Sequence, residues 1–344
     1  MENIIEKYSP LEAYLDAWTM GDPARRAIAE TVAALAKSCI TIAALVAKGP
    51  LAGEPGKVVG NNADGDAQQE LDMLANQIIV DGLCAAPVDR IISEEMEKPM
   101  EFTPEASLTV AVDPLDGSSN IDTNLSLGTI FSITSVAARR LPRGADQVAA
   151  GYVIYGPQTM LVLSVGDGTH IFTLDPDSGV FKLTTAAVSI PTNTREFAIN
   201  VSNFSHWDGQ IKTYIGDCLD GEHGRRKDNF NMRWNASLVA DCHRILSRGG
   251  IFLYPADGRK GYAEGRLRLL YEANPIAFLI EQAGGRASSG RLPILELDPT
   301  HVHQRVPLIF GSVNEVERVE SLYADLIPAG DPSPLFEYRG LFRY

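Results

Sequence analysis

The chain has 344 residues, 45% hydrophobic and 22% charged, the balance of a soluble globular protein with one large domain or two ordinary ones. A net charge of −14 excludes an extended nucleic-acid interface, which needs a broad basic surface. No apolar run approaches the roughly 18 residues of a membrane span, and MENIIEKYSP has neither the basic region nor the apolar stretch of a signal or transit peptide. A cytoplasmic protein without membrane contact is therefore expected.

The first predicted element is a helix over about 24–48. Ile28, Val32, Leu35, Cys39, Ile42 and Val46 share one face, Asp22-Pro23 opens it and Gly49-Pro50 closes it. A second helix is predicted over about 67–83, with Asp66 at its N-cap and Leu71, Leu74 and Ile78 on one face. Short β-branched or alternating runs follow at about 90–92, 108–112, 129–137, 160–165, 170–174 and 180–183, the last two flanking a turn at 175–179. A second set starts at 197–201. It continues with a helix over 237–248, strands at 250–254 and 267–271, a helix opened by Asn274-Pro275 and ended by Gly284-Gly285, and a last helix over 314–326. Strands and helices mix without regular alternation, which predicts a layered α/β sandwich rather than a barrel or Rossmann fold. Ile190-Pro191-Thr192 marks a division into 1–190 and 191–344. Cys39, Cys84, Cys218 and Cys242 form no CxxC pair and are expected to be free thiols.

The chemistry concentrates in Asp113-Pro114-Leu115-Asp116-Gly117-Ser118-Ser119-Asn120, which follows the apolar run SLTVAV. Asp113 thus falls at the C-terminal end of a strand, a favoured ligand position in open sheets. Asp113 and Asp116 can bring two carboxylates towards one point, and Gly117-Ser118-Ser119 offers exposed backbone N–H groups to phosphate oxygens. Clustered carboxylates must be solvated, protonated or neutralised, and a divalent cation neutralises them best. A phosphate bridging metal and backbone is what metal-assisted phosphoester hydrolysis requires. Neither an EF-hand nor a P-loop is present: Val112 and Pro114 would fall on EF-hand ligand positions, and Val58 follows Gly56-Lys57. Further acids lie at Glu94-Glu95, at Asp64, Asp66 and Asp72, and at Glu272. Taken singly, Glu94-Glu95 also read as a solvated strand end, Asp66 as a plain helix cap and Glu272 as a structural residue.

Together these pieces resemble the class I fructose-1,6-bisphosphatases of the lithium-sensitive phosphatase superfamily. GDAQQELD (65–72), SEE (93–95), DPLDGSSNID (113–122), GTIF (128–131), GGIFLYP (249–255) and GRLRLLYEANP (265–275) occur in family order. The resemblance implies an α/β/α/β/α sandwich and Mg²⁺-dependent removal of the 1-phosphate of fructose 1,6-bisphosphate. It implies two or more ions per subunit, with Mn²⁺ as an alternative. Glu94, Glu95, Asp113, Asp116, Glu272 and the Leu115 carbonyl would be ligands. Asp66, Asp72 and Glu95 would position and activate the attacking water. Gly117, Ser118 and Ser119 would hold the 1-phosphate. Asn203, Arg233, Trp234, Tyr254 and Arg266, with Leu238 and Arg268 nearby, would hold the rest of the sugar phosphate. The family's equivalent of Arg233 reaches in from a neighbouring subunit, which implies a homotetramer.

The chain departs from the family at several points. Arg266 stands where Lys is usual, Trp234 where Tyr is usual, and His206 near another usual Tyr. These changes reshape the sugar-phosphate pocket and make sedoheptulose 1,7-bisphosphate a second candidate substrate. An inositol-type phosphatase and a non-catalytic sugar-phosphate sensor are the more distant alternatives. Ser107-Leu108, Ser135 and Asp22-Pro23-Ala24-Arg25 occupy positions that carry other residues in AMP-inhibited members. Inhibition by AMP at an animal-type site is therefore not expected.

Overall fold

The computed structural model describes residues 6–54, 56–61, 67–104, 106–135 and 140–324. It opens with a short helix, α1 (Leu11–Thr19), whose Leu11, Tyr14 and Leu15 are buried and which the sequence reading omits. Helix α2 (Pro23–Lys48) begins where Asp22-Pro23 predicts. The Asp22 carboxylate accepts from the Ala24 N–H at 2.8 Å, and Pro23 needs no partner for its nitrogen. Residues Pro23–Leu51 are long and apolar enough to cross a membrane by length and composition, contrary to the sequence expectation. Half of an apolar 18-residue stretch of it is buried in this fold, with Ile28, Val32, Leu35, Cys39 and Ile42 inside the core.

Strands β1 (Val58–Asn61) and β2 (Ala67–Gln69) pair antiparallel. Helix α3 (Glu70–Leu83) therefore starts later than expected, and Gln69 rather than Asp66 is its N-cap residue. The Asp72 carboxylate completes a capping box by accepting from the Gln69 N–H at 2.9 Å. The buried face is also rotated. Leu71, Ala75, Ile79 and Leu83 face the core in steps of four, while Leu74 is 44% exposed.

Strands β3 (Val88–Ser93), β4 (Met100–Glu101), β5 (Leu108–Asp116), β6 (Leu127–Ser135), β7 (Gln147–Tyr155), β8 (Thr159–Ser164), β9 (His170–Asp175) and β10 (Val180–Thr185) form one sheet. Its order is β10-β9-β8-β7-β6-β5-β3-β4. All neighbours run antiparallel except β3 and β5. Every residue of β5 is buried, as a strand covered on both faces requires.

The second half supplies β11 (Glu196–Ala198), α4 (Gly209–Leu219), β12 (Asn231–Met232), α5 (Leu238–Arg248), β13 (Ile251–Tyr254) and β14 (Leu267–Arg268). The expected strand over 267–271 stops after two residues and gives way to a π-helical turn, Leu269–Ala273. Helix α6 (Asn274–Gln282) continues from that turn, so Asn274 lies inside the helix instead of capping it. Strands β15 (Arg286–Ser288), β16 (Arg305–Val306) and β17 (Leu308–Gly311) precede α7 (Val313–Ala324). The second sheet has the order β12-β11-β13-β17-β15.

Three of the four apolar clusters among the described residues stack these elements. One joins α1–α3 to the first sheet; the second holds α5 and α6 between the two sheets. The third seats α4 and α7 on the outer face of the second sheet. The result is the expected α/β/α/β/α sandwich.

Candidate active site

Asp113 and Asp116 are three residues apart, so a regular strand would point them to opposite faces. Strand β5 instead carries a bulge. Asp113 pairs with Ile130 and Asp116 with Gly128, three steps on β5 against two on β6. The extra residue turns both carboxylates to the same side. Pro114 has no N–H to lose at this break in the ladder, and its carbonyl accepts from the Thr129 hydroxyl at 2.8 Å. The expectation that the strand ends at Asp113 is thus corrected: it runs on to Asp116, kinked.

Parallel pairing of β3 with β5 brings Glu94 to the same sheet edge, where its N–H donates to the Val112 carbonyl at 3.1 Å. Glu272 arrives from the π-helical turn, its carboxylate accepting from the Arg268 N–H. One oxygen from each of Asp113, Asp116 and Glu272 lies within 4.8 Å of the others. Asp116 is further held by α5: its Oδ2 accepts from the Val239 N–H at 3.2 Å and from the Ser237 hydroxyl at 3.5 Å.

The electrostatics follow from this crowding. Burial, then the Glu94, Asp116 and Glu272 charges, push the Asp113 carboxyl well above its usual range. Glu94 rises to about 7 by burial and the neighbouring Glu95, against the pull of Arg268. Asp116 rises to about 6 by burial, moderated by its α5 donors. Glu272 is raised well above its usual value by burial and Glu94. Arg268 is the cation placed against this cluster, at 2% exposure. Four carboxyl groups against one guanidinium make a hard-oxygen donor set that a divalent cation fits.

Asp72, at the start of α3, rises to about 7 by burial, with a further push from Glu95. Its Oδ1 is buried with no hydrogen-bond partner among the described residues. Asp72 and Glu95 therefore sit together beside the carboxylate cluster. Asp66, with Asp64, lies outside the described residues. Gly117 takes φ +80°, the left-handed turn that favours glycine, and leads into a 3-10 turn over Ser118–Thr123. The Asn120 amide ties that turn to the Ala236 carbonyl at 3.1 Å, and Gln69 donates to the Ser118 carbonyl at 3.1 Å.

The expected sugar-phosphate residues divide between two places. Leu238 and Arg268 lie at the carboxylate end, Leu238 at the start of α5 beside Asp116 and Arg268 beside Glu94 and Glu272. Trp234 and Tyr254 lie further out, Trp234 stacked on Phe252 at 5.8 Å and tilted against Tyr254 at 6.3 Å. Asn203 lines a small recess with Tyr254, and Arg266 donates to the Tyr262 hydroxyl at 2.9 Å. Arg233 follows edge strand β12 and is exposed. The segment 233–238 thus spans from the outer pocket to Asp116. Sequence reasoning missed Ser237 and the Val239 N–H as supports of Asp116, although a Ser opening a helix was the signal. It also missed Tyr262.

Residues 18–186 match the family model described as the fructose-1-6-bisphosphatase N-terminal domain, and 190–324 match its C-terminal domain. The class 1 fructose-1,6-bisphosphatase of Azorhizobium caulinodans is 53% identical over 323 residues, covering 91% of this chain and 98% of that one. That of Xanthobacter autotrophicus is 52% identical over 341 residues, covering 96% and 91%. The crystal structure of Leishmania major fructose-1,6-bisphosphatase in holo form superposes with a TM-score of 0.86 at 34% identity, over 93% of this chain and 100% of that one.

Proposed function

The chain belongs to the class 1 fructose-1,6-bisphosphatases and hydrolyses fructose 1,6-bisphosphate, and from that premise we propose how its residues divide the work. The observation that carries the proposal is the convergence of Asp113, Asp116 and Glu272 on one point. The enzyme depends on a divalent metal, and we assign Mg²⁺, two or more ions per subunit, with Mn²⁺ as an alternative. Glu94, Glu95, Asp113, Asp116, Glu272 and the Leu115 carbonyl would hold the ions. Bound there, a divalent ion neutralises the phosphoryl oxygens and lowers the pKa of a coordinated water.

The remaining steps belong to the chain's own groups. Gly117, Ser118 and Ser119 present backbone N–H groups to the 1-phosphate. Arg268 adds positive charge where the phosphoryl group gathers negative charge. Asp72 and Glu95 hold and orient the attacking water and take its proton; Asp66 shares that role by resemblance. The water displaces the sugar oxygen in line, giving fructose 6-phosphate and phosphate without a covalent enzyme intermediate. Asn203, Arg233, Trp234, Tyr254 and Arg266 hold the second phosphate and the sugar. We place the division between the two halves near residue 190, metal ligands mainly before it and sugar-phosphate contacts after it. A cytoplasmic homotetramer with Arg233 shared between subunits completes the proposal.

Trp234 and Arg266 favour one second reading, in which sedoheptulose 1,7-bisphosphate is also cleaved. Trp donates one N–H and cannot accept, and Arg presents a fork where Lys presents a point charge. Phosphate release from both bisphosphates and from inositol monophosphate, with Asp113→Asn and EDTA controls, tests the assignment. Turnover of a sugar bisphosphate that both controls abolish is expected. Binding without turnover would favour a sensor, and turnover of inositol monophosphate alone would overturn the substrate site.

A further inference from the structure

The segment between β13 and β14 carries a side-chain ladder that ends on Arg266 and whose other members, Asp257, Arg259 and Tyr262, have no assigned role. Asp257, whose side chain is 4% exposed, takes the Arg259 guanidinium with both carboxylate oxygens, the Nε lying 3.0 Å from each. The Arg259 backbone N–H adds a further bond to Asp257 at 2.9 Å. Arg259 is thereby neutralised and held, and its guanidinium lies 4.1 Å from the centre of the Tyr262 ring. The Arg266 guanidinium lies against the same ring at 4.8 Å and donates to its hydroxyl at 2.9 Å. Backbone bonds from the Asp257 N–H to the Tyr262 carbonyl, 3.1 Å, and from the Gly265 N–H to the same carbonyl, 3.0 Å, close the loop around this ladder. Arg266 is only half-buried beside this ring, so its charge stays available to an anion. Its charge reaches the Tyr254 phenol, which lies on the outer pocket described above.

We propose that Tyr262 is a positioning residue: its ring and hydroxyl hold the Arg266 guanidinium ready for the second phosphate, with Asp257 and Arg259 fixing Tyr262 in turn. This rests on the assignment of Arg266 to the second phosphate. A free arginine side chain loses much rotamer freedom when it binds an anion, and a guanidinium already held in place loses less. The gain is in substrate affinity. Chemistry at the 1-phosphate lies at the other end of the substrate and is untouched by it.

The test is steady-state hydrolysis of fructose 1,6-bisphosphate by wild type, Tyr262→Phe, Tyr262→Ala, Arg266→Ala and the Tyr262→Ala/Arg266→Ala double variant. Tyr262→Ala is expected to raise KM about tenfold, or about 1.4 kcal/mol, with kcat within about twofold. Tyr262→Phe keeps the ring and loses the acceptor, so its KM rises about threefold. The deciding readout is coupling. In the Arg266→Ala background, Tyr262→Ala should add nothing further. A full tenfold effect in that background, or a fall in kcat in place of the KM rise, would overturn the proposal by making Tyr262 a merely structural residue. Calorimetric binding of fructose 6-phosphate reads the same pocket without turnover. Wild type that binds this product but releases no phosphate would refute the catalytic reading and still leave the ladder tested by the same five proteins.

Discussion

Removing the metal should make the folded protein less stable as pH rises, the reverse of the usual gain from ionised carboxylates. Asp116 has a folded-state value of about 6 against 3.8, and Glu94 about 7 against 4.5, in both cases chiefly through burial. A raised carboxyl favours the protonated form in the fold. Its contribution to stability is complete below pH ~4 and is lost as pH climbs through 6 and 7. The groups share one site and release their protons in succession, so one step is the unit to compare. Two pKa units at 1.36 kcal/mol each make the Asp116 step about 3 kcal/mol. A bound divalent cation replaces those protons, so its stabilisation should grow over the same interval and its binding should release protons. The assay is thermal unfolding in EDTA and in millimolar Mg²⁺, at pH 5.5, 6.5, 7.5 and 8.5. The Mg²⁺-induced rise in Tm should widen by several degrees from the lowest to the highest pH, at about 2–4 °C per kcal/mol. Asp113→Asn should flatten that trend. An EDTA curve whose Tm rises with pH, or a Mg²⁺ shift that stays constant, would refute the reasoning.

Three other outcomes are expected. Glu315→Ala leaves the Arg226 guanidinium buried beside Tyr214 without its acid, since the pair's side chains are 7% and 6% exposed. It should cost about 3–5 kcal/mol in urea unfolding, while Arg226→Met/Glu315→Leu recovers most of the loss. Gly128→Ala puts a methyl 2.6 Å from Val239 and 2.8 Å from the Val153 carbonyl. It should destabilise by about 1–3 kcal/mol and raise the Mg²⁺ requirement by shifting α5 away from Asp116. Finally, if Arg233 serves the neighbouring subunit, oligomers mixed from inactive Asp113→Asn and weakened Arg233→Ala chains should regain activity that neither has alone. Equal activity before and after mixing would place Arg233 in its own subunit's site.

Much of this protein was legible before any coordinates. The Asp22-Pro23 start of α2, its core face through Cys39 and Ile42, and the helix over about 237–248 follow from local rules that the fold obeys. The start of α3 was misread because Ala67-Gln68-Gln69 has no local reason to be extended. Its strand exists through pairing with Val58–Asn61, a contact the linear sequence does not announce. The Tyr262 ladder was invisible for the same reason: neither Arg259 nor Arg266 reveals from sequence that both lie against one ring.

The carboxylate site shows a more instructive gap, because each acid was identified while the geometry that unites them was not. Asp113 and Asp116 converge only through the bulge in β5, and Glu272 joins them only through the π-helical turn before α6. Both devices insert about one residue into a regular element, which breaks the period that sequence reading relies on. Both also have local causes that can be named afterwards. Pro114 removes a ladder donor, and Gly128 lets Val239 approach the strand opposite the bulge. Asn274-Pro275 starts α6 where the widened turn must end, because proline at the first turn of a helix lacks the N–H that the preceding turn would bond. Regular strands and helices would have scattered these carboxylates over different faces. Their mutual repulsion fits the proposed metal site: a fold gains nothing by crowding acids, and a divalent cation held there would relieve them.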